Sequence, residues 1–174
     1  MATLYLNDFV RDVPDFPKPG ITFKDITPLL LSPVAFKSAI DQLVVPYQDE
    51  KIDFVVSAEA RGFIFGPPVA MALNAGFIPL RKPGKLPGET IEESYKLEYG
   101  TDTLQIHKGH IKPKSRILML DDVLATGGTM AAGAKLVEKV GGTIIGFSFL
   151  IELSFLAGKT KLDGKKVHSL LNYS

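Results

Sequence analysis

Ile117-Leu118-Met119-Leu120-Asp121-Asp122-Val123-Leu124-Ala125-Thr126-Gly127-Gly128-Thr129 joins a short apolar run to two adjacent acids and then to a turn of small residues. Arg116 to Leu120 reads as a strand buried on both faces. Gly128 to Val140 reads as a helix, with Met130, Ala134 and Val137 on one face and Lys135, Glu138 and Lys139 on the other. The turn between them, Ala125 to Thr129, offers successive backbone N–H groups at a helix start with little side-chain obstruction. That is an anion cradle suited to a phosphate monoester. Thr126 and Thr129 add hydroxyl donors. Asp121 and Asp122 are acceptors that suit two vicinal hydroxyls. A phosphate at the helix and a diol at the acids together describe a ribose 5-phosphate. The competing reading is a glycine turn kept only for tight packing, and the flanking strand and helix favour the ligand site. The segment is neither a Walker A loop, since no Gly-Lys-Ser/Thr follows, nor a dinucleotide fingerprint, since the G-x-G-x-x-G spacing is missing.

The rest of the chain frames this segment. Ile52 to Val56 reads as a β-branched strand. Gly62 to Ala75 reads as a helix closed by Gly76, and Phe77 to Leu80 as a second strand. Downstream, Thr143 to Ile151 and Lys166 to Leu171 read as further strands. Alternating strands and helices predict an α/β fold with a mainly parallel central sheet flanked by helices, whose ligands bind at the carboxyl ends of the strands. Upstream, Pro14, Pro17, Pro19, Gly20, Pro28 and Pro33 mark residues 1–33 as an arm or hood, not a core strand. Ser32 and Pro33 form the N-cap and first residue of a helix through Phe36, Ile40 and Leu43. The polar stretch Arg81 to Thr103 holds Pro83, Gly84, Pro87 and Gly88 and shows almost no apolar periodicity. Residues 82–104 are therefore expected to form a flexible loop with its acids, Glu89 to Glu93, in solvent, and Thr103 to His107 reads as its returning strand.

Composition fits one domain over residues 1–174, with 45% hydrophobic and 22% charged residues. A net charge of +1 argues against a nucleic-acid binder that relies on bulk charge. With no cysteine there is no disulfide, thiolate nucleophile or Cys-based metal site. The start of the chain lacks the pattern of a secretory signal. The longest apolar stretch falls far short of the roughly 20 residues that span a bilayer. A cytoplasmic protein without membrane contact is the expectation.

Taken together, these segments resemble the type I phosphoribosyltransferases, and within them the adenine branch. The 117–129 segment resembles the phosphoribosyl-pyrophosphate motif. Asp15-Phe-Pro-Lys-Pro-Gly-Ile-Thr-Phe-Lys-Asp-Ile-Thr-Pro28 resembles the adenine-binding arm, and Glu59-Ala-Arg-Gly-Phe63 the pyrophosphate loop. Arg81-Lys-Pro-Gly-Lys-Leu-Pro87 and Ser94-Tyr-Lys-Leu-Glu-Tyr-Gly100 resemble the two halves of the catalytic loop. The match runs from about Asp15 to Gly164. The chain departs from the pattern at Val123 and at Ser154-Phe155.

The resemblance implies transfer of the 5-phosphoribosyl group from phosphoribosyl pyrophosphate to N9 of adenine, giving AMP and pyrophosphate. It implies that Arg61 holds pyrophosphate oxygens in two-point contact, with strained backbone at Glu59-Ala60 before it. Phe23 would stack on adenine while backbone groups near Thr22 and Lys24 read its edge. Arg81, Lys82 and Lys85 would neutralise the leaving pyrophosphate. For Lys82 a plain solvated charge is an even alternative. Glu98 is the candidate to stabilise the oxocarbenium-like ribose or handle the base proton, with Tyr99 beside it covering the site. His107, just after the loop, is assigned to structural support or to backing the residues of the site. Mg²⁺ would bridge pyrophosphate oxygens and ribose hydroxyls with few or no direct protein ligands, and a homodimer is expected. Two rivals remain: the same fold acting on another base, and a purine-responsive regulator that binds nucleic acid.

Overall fold

Three apolar runs rich in β-branched residues are buried on both faces, and a sheet with helices on each side is what such runs require. The computed structural model describes residues 4–96 and 100–174. In chain order its elements begin with β1 (Arg11–Val13), β2 (Phe23–Asp25), α1 (Thr27–Leu31), α2 (Pro33–Val44), β3 (Phe54–Ala58) and α3 (Gly62–Ala72). They continue with β4 (Gly76–Leu80), β5 (Thr90–Lys96), β6 (Thr101–His107), β7 (Arg116–Leu124), α4 (Gly128–Lys139), β8 (Thr143–Leu153) and β9 (Val167–Tyr173).

The central sheet has the order β4-β3-β7-β8-β9, and every pairing is parallel. Successive residues of a strand face opposite sides, and the core divides accordingly. Val56, Met119 and Phe147 pack with Leu136 of α4 on one side. Val55, Leu118 and Leu120 pack with Leu43 of α2 and Phe65 of α3 on the other. Asp121 and Asp122 therefore emerge where β7 leaves the core at its carboxyl end.

Helix signals near Ser32 and Pro33 hold, with Ser32 Oγ accepting from Ala35 N at 3.3 Å. Gly76 does not close α3. The helix ends at Ala72, Asn74 takes the left-handed conformation (φ 52°), and Gly76 opens β4. Asn tolerates that conformation nearly as well as Gly and leaves the glycine free for the strand. The proline-rich arm does contain strands: β1 and β2 form a separate two-stranded antiparallel sheet outside the core.

The largest difference lies in residues 82–104. An antiparallel hairpin, β5 with β6, occupies most of a region expected to lack periodicity. Leu104 and Ile106 are buried, and Ile91 and Tyr95 pack on the same core. Nor do all its acids stay in solvent. Glu93 is 17% exposed and pairs with Lys139 at 2.6 Å and Lys135 at 3.4 Å, both on α4. Glu98 and Tyr99, to which the resemblance gives catalytic and covering roles, lie outside the described residues.

Tyr47, fully buried after α2, donates its hydroxyl to Phe147 O at 2.8 Å and so ties α2 to β8. Tyr47→Phe leaves that buried acceptor without its donor. The variant should lose roughly 1–3 kcal/mol of stability, read as a lower urea midpoint at unchanged m-value. Catalytic constants should not change, because the contact lies away from the carboxyl ends of the strands.

Candidate active site

Asp121 and Asp122 sit together at the end of β7. Asp122 is 4% exposed, and its Oδ2 lies 2.7 Å from Arg61 Nε. Asp121 Oδ1 accepts from Asp122 N at 2.9 Å. Gly62, the first residue of α3, brings the helix start against this carboxylate: a Cβ there would stand 2.8 Å from Asp121 Oδ1. Asp121 opens onto a cavity yet is crowded on its other sides. That burial and the neighbouring Asp122 charge push its carboxyl well above the usual carboxylate range. Asp122 is also raised by burial, against the pull of Arg61.

Arg61 reaches further than the acids. Its guanidinium lies 5.2 Å from the centre of the Phe23 ring, which Phe16 also meets edge-on at 5.2 Å. The arm is thus docked over the sheet's carboxyl end by the same side chain that pairs with Asp122. Lys24 turns away and pairs with Asp12 at 2.6 Å. Thr22 is exposed at the head of β2.

Across the cavity, the Glu59–Ala60 peptide is cis. Glu59 Oε1 accepts from Lys82 N at 2.6 Å and lies 3.4 Å from Arg81 Nε. Burial alone would raise this carboxyl, but the Lys82 N–H and the Arg81 guanidinium outweigh it and hold it below its ordinary value. Glu59 therefore braces the chain that carries Lys82. Lys85 is exposed on the turn beyond.

The cradle follows β7. Gly127 has φ 76°, and a Cβ there would stand 2.4 Å from Gly158 O, so glycine is required by conformation and by space alike. Gly127 is also the N-cap of α4 and provides no side-chain cap. The helix's first N–H groups are left for another acceptor. A pocket of about 70 Å³ lies here, lined by Thr126, Gly127 and Gly128 among others. It shares Asp121, Val123, Ala125 and Thr129 with a larger cavity of about 360 Å³. That cavity also gathers Glu59, Ala60, Arg61, Lys82 and Asp122.

Of the residues singled out in the sequence, these two adjoining spaces collect most. Phe23 joins through Arg61 and Arg81 through Glu59, whereas Lys85, Thr22 and the Lys24 side chain do not line either space. Tyr95 and Asp102, from the hairpin, line the larger cavity unanticipated. Recognising β5 and β6 as paired strands would have found them, since they are cross-strand partners. His107 lines neither space, and its Nε2 lies 2.8 Å from Pro87 O. A shallow cavity of about 430 Å³, lined by Asp53, His110 and Lys112, lies at the other end of the sheet, where β3 and β7 begin. Parallel sheets bind ligands at the carboxyl end, and only that end has the acid pair and the cradle.

A family model described as the phosphoribosyl transferase domain matches residues 34–169. The adenine phosphoribosyltransferase of Desulfitobacterium hafniense is 52% identical over 173 residues, covering 99% of this chain and 100% of the relative. That of Kosmotoga olearia is 55% identical over 168 residues, covering 97% and 99%. Among solved structures, the adenine phosphoribosyltransferase from Thermoanaerobacter pseudethanolicus matches with a TM-score of 0.93 at 50% identity, covering 97% of this chain and 98% of that one. The Saccharomyces cerevisiae enzyme, complexed with an imino-altritol bisphosphate and adenine, matches with a TM-score of 0.90 at 41% identity, covering 95% and 96%. The acid pair, the cradle and the arm thus lie in a chain alike to these enzymes over nearly its whole length: it belongs to the adenine phosphoribosyltransferases.

Proposed function

We propose that the paired cavities at the carboxyl end of the sheet join adenine to the ribose 5-phosphate of phosphoribosyl pyrophosphate. The observation that carries this reading is their adjacency. A glycine cradle at a helix start opens beside two carboxylates, which face a wall bearing Arg61 and Lys82. Phosphate, vicinal diol and pyrophosphate each find the complementary chemistry in that order. A structural relative from Trypanosoma brucei is in complex with AMP, pyrophosphate and ribose-5-phosphate, which supports these groups as the site's substrates and products.

The 5-phosphate would rest on the N–H groups of Ala125 to Thr129 at the positive end of α4. Asp121 and Asp122 would accept from the ribose 2- and 3-hydroxyls. Adenine, stacked on Phe23 with backbone near Thr22 and Lys24 at its edge, would place N9 behind C1. Attack with inversion forms the C1–N9 bond as the C1–oxygen bond to pyrophosphate breaks. Negative charge grows on the leaving group, where Arg61, Arg81, Lys82 and Lys85 supply positive charge, Arg61 turning from Asp122 to do so. Such catalysis is positioning and charge stabilisation above all. Glu98, with Tyr99, keeps the role that the resemblance gives it, toward the ribose cation or the base proton.

Mg²⁺ fits this donor set. Asp121 and Asp122 crowd two hard oxygen donors beside one arginine, and a divalent ion on the substrate would relieve that excess of negative charge. When bound, it would neutralise pyrophosphate oxygens. Within residues 82–104, the part that would cover the activated sugar is the stretch carrying Glu98 and Tyr99, beyond the packed strands β5 and β6. We place the protein in the cytoplasm as a homodimer, on family likeness. No helix among the described residues is long and apolar enough to cross a membrane.

The decisive experiment is an assay of AMP formation from adenine and phosphoribosyl pyrophosphate with Mg²⁺, run beside hypoxanthine. Absence of AMP, or equal use of hypoxanthine, would defeat the reading. Phe23→Ala should raise KM for adenine at least tenfold, on the order of the loss expected of an aromatic contact in a desolvated site. KM for phosphoribosyl pyrophosphate should stay within about twofold. A shift of both constants together would remove Phe23 from the base site.

The raised carboxyl of Asp121 has a consequence for stability. A carboxyl whose folded value lies above its ordinary 3.8 weakens the folded state once ionised. The penalty is absent below 3.8 and complete above the raised value. Asp121→Asn should therefore melt higher than the parent at pH 7, and the difference should shrink as the pH falls toward 4. AMP formation should fall at the same time. Equal melting temperatures at pH 7 would show that the carboxylate carries no such cost.

A further inference from the structure

The hairpin contributes a polar network that neither the cradle nor the acid pair explains. Asp102, in β6, lies directly across from Tyr95 of β5. Its Oδ2 stands 3.1 Å from Lys82 Nζ and accepts from Tyr95 OH at 3.4 Å, while Oδ1 accepts from Thr103 N at 2.9 Å. Tyr95 OH in turn accepts from Thr129 Oγ1 at 3.3 Å. A chain of polar contacts thus runs from Lys82, on the pyrophosphate side, to Thr129, in the phosphate cradle.

An acid on this wall is unexpected if the wall only attracts anions. Asp102 lines the cavity that is to receive a highly charged anion, and there its own charge opposes binding. Its position suggests another use. Lys82 is 55% exposed on a flexible stem, whereas Asp102 is 22% exposed and fixed in a paired strand. Burial would raise the Asp102 carboxyl, but the Thr103 N–H and the Lys82 ammonium outweigh it and keep it ionised.

We propose that Asp102 is a positioning residue that holds the Lys82 ammonium and the Tyr95 hydroxyl in register with the cradle. Lys82 then meets the leaving group in a fixed place, and the hairpin rests on Thr129. This inference rests on the proposed function, in which pyrophosphate departs beside Lys82. A lysine already in place contributes most when charge has grown on the leaving oxygen, and less in the bound ground state. The Asp102 charge meanwhile weakens ground-state attraction. Its loss should therefore lower kcat without weakening substrate binding.

The test is a kinetic double-mutant cycle. Asp102→Asn should lower kcat roughly tenfold, while KM for phosphoribosyl pyrophosphate stays level or falls. In the Lys82→Met background the same change should alter kcat by less than about twofold. Asp102→Glu keeps the charge and should retain more of kcat than Asp102→Asn. An unaltered kcat in Asp102→Asn would overturn the inference. So would an equal loss in both backgrounds, or a KM that rises as kcat falls. An active wild type with any of these results sinks only the role of Asp102. A wild type that makes no AMP sinks the function on which that role depends.

Discussion

Two carboxylates side by side at the end of a buried strand repel each other and lack the water that would soften the repulsion. The carboxyl end of this sheet is organised around that fact. Asp122 is held by Arg61, and Asp121 receives the Asp122 amide and the opening turn of α3, whose approach depends on Gly62 having no side chain. The compensation is incomplete, since both acids remain raised. The residual cost is what a polyhydroxylated, cation-carrying substrate can relieve. Structural expense and chemical purpose coincide here, as they commonly do where groups are held ready for a ligand.

Arg61 connects this centre to the periphery. One guanidinium pairs with Asp122 and lies over Phe23, so the arm carrying the base site and the strand carrying the sugar site share a side chain. The hairpin makes a comparable connection from the opposite direction. Glu93 anchors it to α4 through two lysines, and Tyr95 leans on the first turn of the same helix. Helix α4 thus receives the cradle at its start and the hairpin along its side. The cradle and the hairpin are thereby referred to one helix.

How much of this could be read beforehand follows from where the information lies. The passage from β7 through the cradle to α4 is contiguous, and its apolar run, acids, glycines and helical face are all local signals. The parallel sheet followed from the same kind of evidence repeated along the chain. The arm strands β1 and β2 are three residues each, polar, and separated by prolines. Only their pairing, Arg11 with Asp25 through Val13 with Phe23, makes them strands. Of the hairpin, the returning strand β6 was legible in part, and β5 was hidden for another reason. The more buried face of β5 carries Ile91, Glu93 and Tyr95, and the glutamate breaks the apolar alternation. Its lysine partners lie more than forty residues away. Asp102 and Tyr95 could not enter the site before that register was known. Arg61 was recognisable as a ligand for anions, but its contact with Phe23 joins segments that are close only in the fold.

The contact between Gly127 and Gly158 has a bearing on how variants of this protein would be interpreted. The two backbones touch so closely that a Cβ on Gly158 would stand 2.2 Å from Ala125 O, just as one on Gly127 would strike Gly158. The cradle is therefore cast against a mould supplied by the segment after β8. A substitution at position 158 would look, to a geneticist, like a lesion in phosphate recognition, although that residue lines neither space of the site. A suppressor of such a lesion would be sought most profitably in the 154–161 segment, where the mould can be reset, and least at Gly127, which has no room to yield.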